Sequence, residues 1–171
     1  MRATPGRWAL PGAAVLAAAV LGVLGTAPAH ASVAQGGVYG TGVVTDDWGD
    51  EGPLSTTQNS HNNVVALWQT VLWADGLLPD SGRDCEFGPQ TADATKAWQR
   101  AHGLTADGVV GPATFGKADD SLSLAGDEIR YTGSQAVVTG MYRDSTGRYY
   151  STYEGTTYYL SYTVADGPVC D

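Results

Sequence analysis

Between positions 64 and 74 the apolar residues form one broad helical stripe. Val64, Val65, Leu67, Trp68, Val71, Leu72 and Ala74 cover about half of the circumference. Ser60, Asn62 and Asn63 offer capping oxygens ahead of them, and Gly76 follows where a left-handed C-terminal cap is wanted, so a helix is predicted over 64–75. So wide a stripe implies contacts on two sides, one to neighbouring helices and one to another part of the chain. Trp73 falls outside the stripe near Gln69, which leaves it as a lid over a neighbouring segment or as a ligand platform.

A narrower stripe follows. Thr91, Ala94, Ala97, Trp98 and Ala101 share one helical face, opposed by Asp93, Lys96 and Arg100, in a helix predicted from Pro89 to His102 and ended by Gly103. Pro112 opens a third, short helix reaching Ala118, since proline in a first turn forfeits no hydrogen bond. From Ser121 the period changes. Segments 129–132, 135–142, 148–154 and 156–164 read as short strands, with turn chemistry at Asp144-Ser145-Thr146-Gly147 and Glu154-Gly155. Residues 38–45 offer one more strand ahead of the helices, followed by an acidic turn at 46–51. Asp119-Asp120 and Asp127-Glu128 read as solvated linker charge. Four short strands make a marginal core alone, so the sheet is predicted to pack on the outer half of the first helix.

The helical third repeats internally. Trp68-Gln69 leads to Gly76-Leu77 and then to Asp84-Cys85-Glu86-Phe87-Gly88-Pro89-Gln90-Thr91. Trp98-Gln99 leads to Gly103-Leu104 and then to Asp107-Gly108-Val109-Val110-Gly111-Pro112-Ala113-Thr114. Both halves spell W-Q, G-L and D-x-x-[FV]-G-P-x-T in order, the signature of a duplicated helix–loop unit.

At these residues the sequence resembles the peptidoglycan-binding domain 1 family, the three-helix modules of bacterial wall amidases, carboxypeptidases and muramidases. Val65, Gln69, Leu72 and Gly76 meet the first part of the family pattern. Asp84, Phe87, Gly88, Thr91, Ala94 and Gln99 meet the second. Gly103, Leu104, Asp107, Gly108, Val109, Val110, Gly111 and Thr114 meet the third. Trp68 and Trp98 stand where leucine and phenylalanine are usual. Cys85 replaces the glycine of the first Asp-Gly turn, which implies a reshaped turn or tolerated strain, because glycine accepts positive φ freely. The resemblance covers 59–118 and implies a three-helix peptidoglycan-binding-like bundle, which with the strands read after Ser121 makes an α+β chain with a small antiparallel sheet. It implies Gln69, Asp84, Thr91, Gln99, Asp107 and Thr114 as polar groups near a muropeptide groove between the two loop units, with Trp73 as a further ligand candidate. Asp84 and Asp107 are equally suited to fixing their own turns.

The N-terminus changes the compartment. Arg2 and Arg7 precede an apolar run from Ala13 to Leu24 and an Ala29-His30-Ala31 cleavage site, so residues 1–31 read as a secretory signal peptide. The expected mature chain is divided into 32–58, an N-terminal segment; 59–118, the helical unit; and 119–171, a Tyr-rich β region. It is expected to be secreted and associated with the cell wall, with no membrane attachment after cleavage. Loss of the two arginines leaves seven basic against 18 acidic residues, a net charge of −11. That charge disfavours nucleic acid. In an oxidising compartment Cys85 and Cys170 are expected to form one disulfide, because their wide separation matches no zinc spacing.

Catalysis is not expected. Only His61 and His102 remain after cleavage, at helix ends, and neither a nucleophilic triad nor a zinc ligand set is apparent. No metal and no cofactor are implied. Tyr149, Tyr150, Tyr153, Tyr158, Tyr159 and Tyr162 form either an aromatic surface for sugar stacking or ordinary strand residues. The sequence therefore reads as a secreted, non-catalytic peptidoglycan binder. The competing reading is a protein–protein interaction module or inhibitor acting on a secreted partner through the Tyr-rich region.

Overall fold

Local capping chemistry sets the helices. The computed structural model describes residues 31–170. The expected signal peptide, apart from its last residue, lies outside the described residues. A short helix, α1 (Ala31–Gln35), comes first. It is followed by α2 (Asn63–Ala74), α3 (Pro89–Ala101) and α4 (Pro112–Ala118). Asn62 caps α2, its Oδ1 accepting from the Val64 and Val65 amides at 2.9 and 3.0 Å. α3 and α4 each start on a Gly-Pro step, as the repeat predicts.

The remainder is an antiparallel meander of five strands, in spatial order β1 (Leu122–Ala125), β2 (Glu128–Thr132), β3 (Val137–Arg143), β4 (Tyr149–Tyr153) and β5 (Thr156–Tyr159). The architecture is α+β. Three strand expectations need correction. β1 was unforeseen; of its two leucines Leu122 is buried and Leu124 is 52 % exposed on the sheet edge. The last strand ends at Tyr159, beyond which Leu160, Ser161 and Tyr162 all turn into the core. Residues 38–45 form no regular strand. They cross the end of the sheet through isolated bridges, Gly37 to Ser161 and Tyr39 to Arg148, before a 3-10 turn at Val44–Asp46. Gly40 suits this path, since a Cβ there would meet the Asp47 carboxyl carbon at 2.0 Å.

Aromatic rings tie all three regions into one core. Trp98 meets Trp68 edge-on at 5.2 Å, Trp68 meets Phe115 at 5.6 Å, Phe115 meets Trp48 at 6.2 Å, and Trp48 meets Tyr149 at 6.3 Å. Such edge-to-face pairs add about 0.5–1.5 kcal/mol each beyond burial. The relay runs from α3 to the sheet by way of Trp48, in the segment ahead of the helices. The acidic turn around Trp48 is drawn in with it. Asp47 and Glu51 are buried, bonded to the hydroxyls of Tyr149 and Tyr162, and Asp47 also pairs with Arg143 at 3.0 Å. Asp119, expected as solvated linker charge, is 2 % exposed, and its Oδ2 accepts from the Trp48 amide at 2.9 Å. Asp120 is the solvated one, paired with Lys117.

The sheet meets α2 at both ends of the helix and not along its whole outer face. At the C-terminus, the Gln135 and Ala136 amides donate to the Ala74 carbonyl at 2.9 and 3.0 Å. The Asp75 carboxylate accepts there from Trp98 Nε1, Tyr131 Oη and the Ser134 amide. At the N-terminus, Asn63 holds the tail, and the Cys85–Cys170 disulfide forms as expected.

Candidate functional site

The repeat builds two matching loop clamps. Gln69 lies on α2 with no exposed surface. Its Nε2 donates to Asp84 Oδ1 at 2.8 Å, the Glu86 carbonyl at 2.9 Å and Thr91 Oγ1 at 3.1 Å. Its Oε1 accepts from the Asp84 and Cys85 amides at 3.0 and 2.9 Å. Gln99 on α3 repeats the arrangement one unit later. Its Nε2 donates to Asp107 Oδ1 at 2.9 Å, the Val109 carbonyl at 2.9 Å and Thr114 Oγ1 at 3.1 Å, while its Oε1 accepts from the Gly108 amide at 2.9 Å. In both loops the aspartate Oδ1 also accepts from the amide two residues on, at 2.9 Å.

Six of the seven candidate ligand residues are therefore the pins of the loops. Gln69, Gln99, Thr91 and Thr114 are buried, and their polar atoms are committed to loop backbone and to one another. A groove lining made of these four does not fit the structure. Their apolar surroundings leave water and ligand no access, and a buried amide held by several partners is costly to release. Asp84 and Asp107 remain exposed at the loop surface while their Oδ1 atoms hold the turns.

Beside the second clamp lies an open groove of about 420 Å³. One wall is the first half of α3, with Ala92, Asp93 and Lys96; another is the second loop, with Asp107 and Gly108. The third wall, Ser55 to Gln58, was missed by the sequence reading, which left it in the N-terminal segment. Ser55 Oγ accepts from the Thr57 and Gln58 amides at 3.3 and 3.0 Å and closes the turn. Reciprocal amide-to-carbonyl bonds of 2.9 Å between Leu54 and Val110 attach it to the second loop. The Ser-Thr-Thr-Gln-Asn run immediately before the helix cap was the available signal, as hydroxyl and amide side chains favour such turns. On the groove's rim Asp93 and Lys96 form an exposed ion pair at 3.2 Å, so the wall presents both signs of charge.

Trp73 belongs elsewhere. It lines a second cleft between α2 and the sheet, with the Arg83 guanidinium 4.9 Å from its ring centroid. The tyrosines also divide. Tyr149 and Tyr162 are core residues, and burial beside Asp47 and Glu51 pushes both phenols far above their ordinary range. Tyr142 stacks on Tyr150 at 5.5 Å, Tyr150 leans on Tyr159 at 5.9 Å, and Arg148 covers Tyr159 at 4.3 Å. These rings pack on one another across the outer side of the sheet. Tyr153 and Tyr158 face the second cleft.

The histidines are engaged at helix ends. His61 Nδ1 pairs with Glu86 at 2.9 Å, and His102 stacks on Trp98 at 3.7 Å with Nδ1 at 2.8 Å from the Trp98 carbonyl oxygen. Burial pushes the Asp119 carboxyl up to about 6, against the Trp48 amide bond, which favours the ionised form, and with Asp120, Asp47 and Asp46 adding repulsion. Burial likewise raises Asp47, opposed by the Tyr149 hydroxyl and Arg143. Among the described residues no group of three or more His, Cys, Asp or Glu is placed to hold a metal ion, and no helix is long and apolar enough to cross a membrane.

Residues 60–117, which carry both clamps, match the family model described as "Putative peptidoglycan binding domain". The match is confined to the helical unit. Over 34 residues the chain is 56% identical to the zinc D-Ala-D-Ala carboxypeptidase of Streptomyces albus G, a stretch covering 20% of this chain and 13% of that enzyme. No solved structure matches the chain.

Proposed function

We propose that the protein is a secreted, non-catalytic binder of peptidoglycan that receives a muropeptide in the groove along α3 and the second loop. The observation that carries this reading is the coincidence of the family match with an open polar groove walled by α3 and the second loop. The buried glutamines fix loop shape before any ligand arrives, which lowers the ordering cost of binding. Asp93, Asp107 and Lys96 on the walls suit a stem peptide that carries both an amine and a carboxylate. Similarity to a wall carboxypeptidase favours the same polymer, although it reaches only 13% of that enzyme.

The non-catalytic part rests on where the candidate acids and bases sit. Asp47, Glu51 and Asp119 are sealed in the core, and both described histidines are taken up at helix ends. Titration of the isotope-labelled protein with soluble muropeptides checks both parts at once. Amide shifts should concentrate at Thr57, Gln58, Ala92, Lys96 and Gly108, and the recovered muropeptides should keep their masses. Shifts confined to other surfaces would end the groove assignment, and a loss of mass would end the non-catalytic one.

A further inference from the structure

The cleft containing Trp73 is a second concavity, separate from the clamps, of about 310 Å³. Leu67 of α2 and Met141 and Leu160 from the sheet side form its floor, each less than a tenth exposed. Trp73, Tyr153 and Tyr158 stand along its sides. The trough is long and apolar enough to take a short alkyl chain.

Charge distinguishes it from the rest of the surface. The sequence has 18 acidic residues, yet no aspartate or glutamate is among the described residues lining this cleft. The charged residue among them is Arg83, whose guanidinium lies over Trp73 and pairs with the exposed carboxylate of Asp80. Here a cation and an apolar trough adjoin, in a chain with 18 acidic against nine basic residues.

The cleft is also held open by construction. Asn63 Oδ1 accepts from the Asp166 and Gly167 amides at 3.0 and 3.1 Å, and its Nδ2 donates to the Tyr159 carbonyl at 2.8 Å. The Cys85–Cys170 disulfide anchors the tail that supplies Gly167, Pro168 and Val169 to one end of the trough. These ties fix the tail against the N-terminal end of α2.

We propose that this cleft binds a small amphiphile, a short apolar chain ending in a single carboxylate, with the chain over Leu67, Met141 and Leu160 and the carboxylate at Arg83. The site is independent of the muropeptide groove, so either assignment can fail without the other.

Calorimetric titration of the mature protein with decanoate, decanol and decyltrimethylammonium, each below its micellar concentration, tests it. Decanoate should bind one to one, decanol about tenfold more weakly, and the cationic amphiphile not at all. Arg83→Gln should bring decanoate down to the level of decanol, and Asp80→Asn, by releasing the guanidinium, should tighten decanoate a few-fold. Ala66→Trp or Ser151→Trp, each filling the trough, should abolish binding of both chains while sacculus binding persists. Equal affinity for all three head groups, absence of decanoate binding, or binding that survives both filling variants overturns the proposal. If a filling variant does not fold, the head-group comparison on the wild-type protein still decides.

Discussion

Cys85 holds its backbone at φ +63° in the first loop, where Gly108 holds +77° at the equivalent place in the second. The two amides make the same bond, to Gln69 Oε1 and Gln99 Oε1, at 2.9 Å. The turn is thus not reshaped to accept the larger residue. A side chain in this left-handed region costs about 1–2 kcal/mol, a strain tolerated in return for a buried sulfur that pins the tail.

Closing a loop of 85 residues stabilises by on the order of 4 kcal/mol in the chain-entropy description. Cys85→Ser/Cys170→Ser should therefore lose a few kcal/mol in urea denaturation. Cys85→Gly/Cys170→Ser should recover about 1 kcal/mol of it by relieving the left-handed residue. Equal stability of the two double variants would remove strain from the description of this turn.

Removal of a clamp should cost stability as well as binding. Gln99→Leu keeps the volume but leaves the Gly108 amide, the Val109 carbonyl and Thr114 Oγ1 without their partner, a loss of about 2–4 kcal/mol. Gln69→Leu should behave alike in the first loop. Thermal melting together with sacculus binding separates this from a contact residue, whose loss leaves melting unchanged.

Asp119 gives the protein an acid-side stability. Its carboxyl titrates at about 6 when folded, against an ordinary 3.8, so the native state holds the proton more tightly than the unfolded chain. The stabilisation is complete below about pH 4, fades as pH rises toward 6, and is lost above it. The difference between the two states is worth about 3 kcal/mol at most. Asp119→Asn retains an acceptor for the Trp48 amide without the charge. Urea midpoints at pH 4.5, 6 and 7.5 should show this variant gaining on the wild type as pH rises. A constant difference across that range would contradict the assignment.

Local chemistry was legible in the sequence, and long-range burial was not. Asn62, Gly76, Pro89 and Pro112 announced the helix ends to within a residue or so, because capping depends on neighbours only. The repeat announced the clamps, since Gln, Asp and Thr recur at the spacing their bonds require. Whether those side chains faced a ligand or their own loops could not be read from spacing, because a polar pin and a polar contact look alike. Asp119 was misjudged for another reason: it is buried against Trp48, which is itself covered by Phe115 and Tyr149 far along the chain. The Ser55–Gln58 wall became part of a groove only through its bridge from Leu54 to Val110.

The central claim is that the groove along α3 receives wall polymer, and co-sedimentation with purified sacculi tests it most directly. Ala92 lines that groove, so Ala92→Trp should fill it and leave the variant in the supernatant, folded. Wild-type protein should pellet with the sacculi and be only modestly released by salt, because the groove carries both signs of charge. Wild-type protein that stays in solution at low salt, or an Ala92→Trp protein that pellets as well as the wild type, would contradict the account.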